Sequence, residues 1–201
     1  MKSIFRIIPL LIALLIAVPA AADADPTAEV RLLCDRLIEV MKQGPQLGFE
    51  GRENKLRPVL SSAYDMQAVT KSTLGLAANK LTPEETEKLA EAYSRFSVAT
   101  YADQFRSWGG ESFQIEAPRP STNGNMVVPS YIVGGDGNRT GIDYLVHESD
   151  GAWRIIDVLF QGSVSQVAVR RSEFVPIFRS QGVGALIAML DTKTQALEKK
   201  N

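Results

Sequence analysis

The sequence predicts an α+β fold: a curved, four-stranded antiparallel sheet packed against N- and C-terminal helices. Three observations carry this. Apolar residues recur at helical spacing from Val30 to Phe105. From Glu111 the period falls to two and stays there through four short runs ending at Phe160. Helical spacing returns at Val164 and continues to Leu197. An unbroken run of strands between helical segments places the helices on one side of the sheet, unlike the alternation of a parallel α/β fold.

The chain begins with the layout of a secretory signal peptide. Lys2 and Arg6 form a basic start, Ile7 to Val18 is apolar apart from Pro9, and Ala20-Ala21-Ala22 supplies small residues for cleavage before Asp23. The apolar run is shorter than the roughly 20 residues a spanning helix needs. With residues 1–22 removed, Lys2 and Arg6 leave the count of 22 basic side chains, so 20 basic face 23 acidic ones in residues 23–201. That length suits a single domain with a sizeable core, or with a core that holds a cavity. The weakly acidic balance offers no dense basic stripe and argues against nucleic acid as a partner. Cys34 is the only cysteine, so packing must stabilise the fold. Its helical spacing from Val30 and Leu37 makes it a buried small hydrophobe.

Asp25-Pro26 reads as the N-cap and first residue of a helix whose stripe is Val30, Leu33, Cys34, Leu37, Val40 and Met41, ending at Gly44-Pro45. A second helix is expected over residues 52–62, interrupted near Pro58. A third starts at Asp65, a capping residue, and carries Met66, Val69 and Leu74. Thr82-Pro83-Glu84-Glu85 forms a capping box, with Leu81 as staple, for a helix carrying Leu89, Ala92, Tyr93, Phe96, Ala99, Thr100 and Phe105 as far as Trp108. Gly109-Gly110 stops it.

The four strands are expected over residues 112–117, 126–133, 141–148 and 152–160. The connectors at residues 134–138 and Ser149-Asp150-Gly151 are short enough for hairpins, which makes the order a meander. Pro129 implies an edge or a bulge. In the last strand Trp153, Ile155 and Leu159 point one way and Ile156, Val158 and Phe160 the other, so both faces look covered. Gly162 ends it, Ser163 can cap the next helix, and Val164, Val167, Ala168, Arg171, Phe174 and Phe178 follow at helical spacing. Pro176 should bend that helix, or mark a second start capped by Ser172. Gly182-Val183-Gly184 separates a last helix over residues 185–199.

Catalytic arrays are scarce. His147 is the only histidine, which excludes a zinc site using two histidines; at a strand end beside Glu148, it reads as a surface or hydrogen-bonded group. Gly162-Ser163-Val164-Ser165 is no nucleophile elbow, and Gly182-x-Gly184 follows a helix and lacks a third glycine. No cofactor is implied. Asp157 is the charge that most needs explaining, since an unpaired buried carboxylate is costly. It requires backbone donors or an arginine such as Arg170 or Arg171, as a structural pair or as part of a cavity mouth.

The pattern Trp153-x-Ile155-x-Asp157-Val158, then Gly162-x-Val164-Ser165, then Arg170-Arg171-Ser172-Glu173-Phe174, with Gly182 before Leu186 and Leu190, resembles the MlaC family. These are periplasmic lipid-shuttling proteins, also called toluene-tolerance or auxiliary organic-solvent-tolerance proteins, and include a hopanoid-associated branch. The chain departs from the pattern at Arg170, where the family has tyrosine. The resemblance implies helices and sheet enclosing an apolar cavity for the tails of a phospholipid or hopanoid. It also implies an inner-membrane ABC transporter complex with a substrate-binding ring and an outer-membrane lipoprotein complex as partners, in the service of outer-membrane lipid asymmetry. The apolar members of the inward stripes become the expected lining: Leu37, Met66, Val69, Leu74, Tyr93, Phe96, Ile156, Val158, Val164, Val167, Phe174 and Phe178. The contrasting reading is a non-enzymatic interaction or small-ligand module with a filled core, and the volume of the interior separates the two.

Overall fold

The computed structural model describes residues 25–200, so the leader assigned to residues 1–22 lies outside the described residues. Helix α1 is Ala28–Ala63. Asp25 does not cap it directly. Its carboxylate accepts from the Thr27 amide and hydroxyl, each at 2.8 Å, and Thr27 takes the N-cap position. Gly44-Pro45 does not end the helix either. The two helices expected on either side are halves of one element that runs through Pro45 and Pro58 and breaks at Gly48, with φ 62° and ψ −178°. Only glycine adopts that backbone cheaply. Gly44 has a different role: a Cβ there would lie 1.9 Å from the Arg106 carbonyl oxygen. Buried Arg52 fastens this approach by donating to the carbonyls of Ala102 at 2.8 Å and Gly44 at 3.2 Å.

Helix α2, Met66–Leu74, is capped by Asp65, which accepts from the Ala68 amide at 2.8 Å; a 3-10 turn over Gly75–Lys80 follows. Helix α3, Pro83–Gln104, carries the expected reciprocal box. The Glu85 amide donates to Thr82 Oγ1 at 3.1 Å, and the Thr82 amide donates to Glu85 Oε2 at 2.8 Å. It ends at Gln104, short of Trp108, with Phe105 as C-cap.

Among the described residues six strands form the sheet, two more than expected: β1 (Ser112–Ile115), β2 (Arg119–Pro120), β3 (Met126–Val133), β4 (Arg139–Ser149), β5 (Ala152–Phe160) and β6 (Val164–Ser165). All pairings are antiparallel, in the order β1-β3-β4-β5-β6, with β2 also beside β3. β3 is therefore interior, yet Pro129 is accommodated. The Glu116 amide donates to the Pro129 carbonyl at 2.9 Å, so the edge of Pro129 that lacks an N–H faces the interruption between β1 and β2. Asp150 and Gly151, with φ 53° and 75°, close the β4–β5 hairpin.

A bulge in β5 corrects the expected facing of its side chains. Leu145 pairs with Asp157, but Val146 pairs with Ile155, which leaves Ile156 as the extra residue. Opposed residues share a face, so Trp153, Ile155, Val158 and Phe160 all turn inward. The inward Val128, Ser130, Tyr144, Val146 and Ile155 are buried. The outward Leu145 and Leu159 are only half-buried, so the sheet is covered on one face and not on both.

Helix α4 is Gln166–Lys200. Val164 and Ser165, expected inside its first turn, pair with Phe160 and Leu159 as β6, and Ser165 rather than Ser163 caps the helix by accepting from the Ala168 amide at 2.9 Å. The helix passes through Pro176 and breaks at Gly182, with φ 83° and ψ 179°. Ser172 marks no second start; its hydroxyl donates to the Val169 carbonyl. Two apolar clusters result. One joins α1 to the sheet and to Val98, Ala99 and Ala102 of α3, and holds Cys34 at 2 % exposure, as its spacing predicted. The other joins α2, α3 and α4 through Leu89, Phe96, Phe174 and Leu190. Tyr64 and Leu197 pack against both. Among the described residues, no helix is long and apolar enough to cross a membrane.

Candidate functional site

Between the inner face of the sheet and α2, α3 and the first turns of α4 lies a cavity of about 470 Å³. The interior is not solid. Its lining follows from the local structure of each wall. Tyr93, Phe96, Ser97, Thr100, Tyr101 and Gln104 recur every three or four residues along α3, so one helix face supplies one wall. Ile132, Ile142, Tyr144, Val158 and Phe160 come from the inward positions of β3, β4 and β5. Gln166, Val167 and Arg170 lie on one face of the start of α4. Exposed Gln104, Phe160 and Gln166 mark the mouth, and fully buried Tyr144 marks the floor.

Of the residues expected to line such a cavity, Met66, Val69, Tyr93, Phe96, Ile156, Val158 and Val167 do so. Five do not. Leu37 is buried in the α1 cluster, and Leu74, Phe174 and Phe178 are buried in the helical cluster behind the wall. There Phe174 packs edge-on against Tyr93 at 5.1 Å between ring centroids. Val164 sits in β6 at 45 % exposure. Several lining residues were missed. Ser97 and Gln104 are polar and so dropped out of an apolar stripe, although their spacing from Tyr93 placed them on it; Thr100 and Phe105 were placed on that stripe but not in the lining. Ile132, Ile142 and Tyr144 were legible as alternating positions of β3 and β4.

The floor is polar. The hydroxyls of Tyr64 and Tyr101 lie 2.6 Å apart, and that of Tyr144 lies 4.0 Å from Cys34 Sγ. Burial pushes the Tyr101 and Tyr93 phenols up to about 12 and those of Tyr64 and Tyr144 well above the ordinary range. Burial also pushes the Cys34 thiol up to about 12. All five are therefore neutral near pH 7.

Asp157 does not pair with Arg170 or Arg171. Its carboxylate accepts from the Val158 amide at 2.7 Å, the Val167 amide at 3.0 Å and the Ser165 hydroxyl at 2.5 Å. It thus caps α4 together with Ser165, where a negative charge meets the positive end of the helix. It still lines the cavity. Arg171 instead donates to the carbonyls of Ser72 and Thr73, tying α4 to the end of α2. Arg170 also lines the cavity, with its guanidinium over the Phe96 ring at 5.0 Å. His147 Nε2 lies 3.0 Å from Asp65 Oδ2 and joins β4 to the cap of α2, away from the cavity wall. Among the described residues no group of three or more His, Cys, Asp or Glu could hold a metal ion.

A one-sided antiparallel sheet, roofed by helices, defines an α+β protein with a ligand-sized cavity between its layers. The sequence profile of the MlaC protein family matches residues 32–192, and the chain belongs to that family. A phospholipid-binding protein from Ralstonia solanacearum, solved in complex with a phospholipid, has the same fold at a TM-score of 0.70. The alignment covers 87 % of this chain and 99 % of that one at 22 % identity. No curated protein sequence matches the chain.

Proposed function

We propose that this protein is a non-enzymatic carrier that takes a phospholipid across the periplasm, between an inner-membrane ABC transporter complex with its substrate-binding ring and an outer-membrane lipoprotein complex. On this reading residues 1–22 are a cleaved signal peptide and residues 23–201 form one lipid-binding domain. The observation that carries the proposal is the cavity of about 470 Å³ between sheet and helices, within the range of ligand sites and open at Gln104, Phe160 and Gln166. Membership of the MlaC family and the phospholipid in the Ralstonia protein support it. The physical need is plain: a diacyl lipid carries about thirty methylenes, and exposing them costs about 24 kcal/mol at ~0.8 kcal/mol each. A protein that shelters them moves the lipid through water without chemistry.

The test is native mass spectrometry of gently purified protein. The expected result is co-purified lipid in the natural chain and much reduced occupancy in Val167→Trp, whose indole fills the space beside Phe96 and Val158, with the circular dichroism unchanged. Lipid-free natural protein at every preparation overturns the carrier. The same extract separates phospholipid from hopanoid.

A further inference from the structure

Arg170 is a costly residue to place on the wall of a cavity meant for hydrocarbon, and its surroundings leave it underused. It lies one helical turn beyond Gln166 at the mouth, on the same face of α4, with its side chain 25 % exposed. The Phe96 ring lies against the guanidinium, with Cζ 5.0 Å from the ring centroid. The guanidinium meets the Glu173 carboxylate through one Nη at 3.4 Å. Glu173, however, is engaged more closely by Lys193. Burial alone would raise the Glu173 carboxyl, but the hydrogen bond and charge of Lys193, with Arg170 behind them, hold it below the usual range. Asp157, the other charged group on the cavity wall, already accepts from three donors of its own chain. A guanidinium has five N–H donors in a rigid fork, and here one makes a long contact.

We infer that Arg170 is the head-group anchor of the cavity, taking the phosphodiester oxygens of the lipid through its fork while the tails run inward past Phe96 and Val167. The inference rests on the carrier reading and names the chemistry of its cargo. When tails fill the cavity, water leaves the guanidinium, and a desolvated cation whose one carboxylate contact is long and shared with Lys193 is disfavoured without a closer anion. A phosphate supplies that anion with matching bidentate geometry. A neutral lipid of equal tail length does not. Arg170 therefore selects phosphate-bearing lipids over uncharged ones such as a diacylglycerol or an unsubstituted hopanoid.

The experiment uses the full chain, stripped of lipid and offered an equimolar mixture of dioleoyl phosphatidylglycerol and dioleoylglycerol, with retained lipid read by mass spectrometry. The natural chain is expected to favour the phospholipid by roughly tenfold or more, the scale of one charge-assisted hydrogen bond. Arg170→Gln is expected to bring the two within about twofold while still retaining both, and Arg170→Lys to recover part of the preference. Equal retention by the natural chain, or a ratio unchanged in Arg170→Gln, overturns the role of Arg170 and leaves the carrier intact. Retention of neither lipid overturns the carrier itself. Inorganic phosphate raising the Tm of the natural chain but not of Arg170→Gln, with no lipid preference, makes Arg170 a free-anion site and overturns the head-group reading.

Discussion

Buried hydroxyls line the cavity, an unusual content for a site expected to imitate hydrocarbon. Tyr64, Tyr101 and Tyr144 line it, Cys34 closes the group from α1, and Tyr93 lies along the same α3 face. Their titration makes a prediction with a definite sign. In the unfolded chain a tyrosine ionises near its ordinary value of 10.0, whereas Tyr93 and Tyr101 hold their protons to about 12 when folded. The unfolded state therefore binds fewer protons in that window, so the contribution of these two phenols is constant below pH 10 and is lost as pH rises from 10 towards 12. Denaturant unfolding at pH 9, 10 and 11 should show this loss, and Tyr101→Phe should make it smaller; a midpoint independent of pH would count against phenols buried in neutral form. Cys34, held at about 12 by burial, should resist alkylation at pH 8 until the chain is unfolded. Its burial was legible from its place in the stripe with Val30 and Leu37. For Asp157 the sequence required backbone donors or an arginine, and backbone donors meet that need; which ones was not legible, because besides the neighbouring Val158 amide the donors sit on β6 and α4, brought back by the turn at Gln161 and Gly162, both with positive φ.

At the scale of elements, α1 and α4 contain 36 and 35 residues. A straight helix of that length would extend about 54 Å, longer than a domain of this size can cover. Each is bent once, at Gly48 and at Gly182, in a backbone region that only glycine enters cheaply. No atom lies within 4 Å of a Cβ built at Gly182, so Gly182→Ala carries a backbone cost alone. We expect a loss of about 1–3 kcal/mol in denaturant unfolding. Gly184→Ala, which also meets no neighbour, should be neutral or slightly stabilising and serves as the control. Equal effects at the two positions would place the bend elsewhere. The sequence marked both regions but chose proline at the first: Gly44-Pro45 looked like a terminus, yet the helix absorbs Pro45 just before the true bend. Proline announces itself in any context, whereas a glycine becomes a bend only when the packing of the two halves demands it.

For the whole molecule, the cargo sets a quantitative demand. The tails of a two-chain lipid carry about thirty methylenes, and the walls that can keep them from water are the inner face of the sheet on one side and α2, α3 and α4 on the other. A crystal structure of the protein loaded with a diacyl phospholipid should place both tails between these walls, against Phe96, Val158 and Val167. Tails bound outside the cavity would refute this.

The chain by itself determined the α+β class, the capping box of α3, the Asp65 cap, the exact spans of β3 and β5, and seven of the cavity residues, because these depend on propensity, spacing and turn chemistry that act locally. Only the tertiary structure decided which apolar stripes would line the cavity and which would be packed behind it. Leu37 and Met66 are alike in sequence terms, yet one is sealed in the α1 cluster and the other faces the cavity. A single bulged residue, Ile156, turned Val158 and Phe160 inward on the same face as Ile155. Whether an apolar surface meets another wall or a void depends on the separation of elements distant in the chain, and no periodicity encodes that distance.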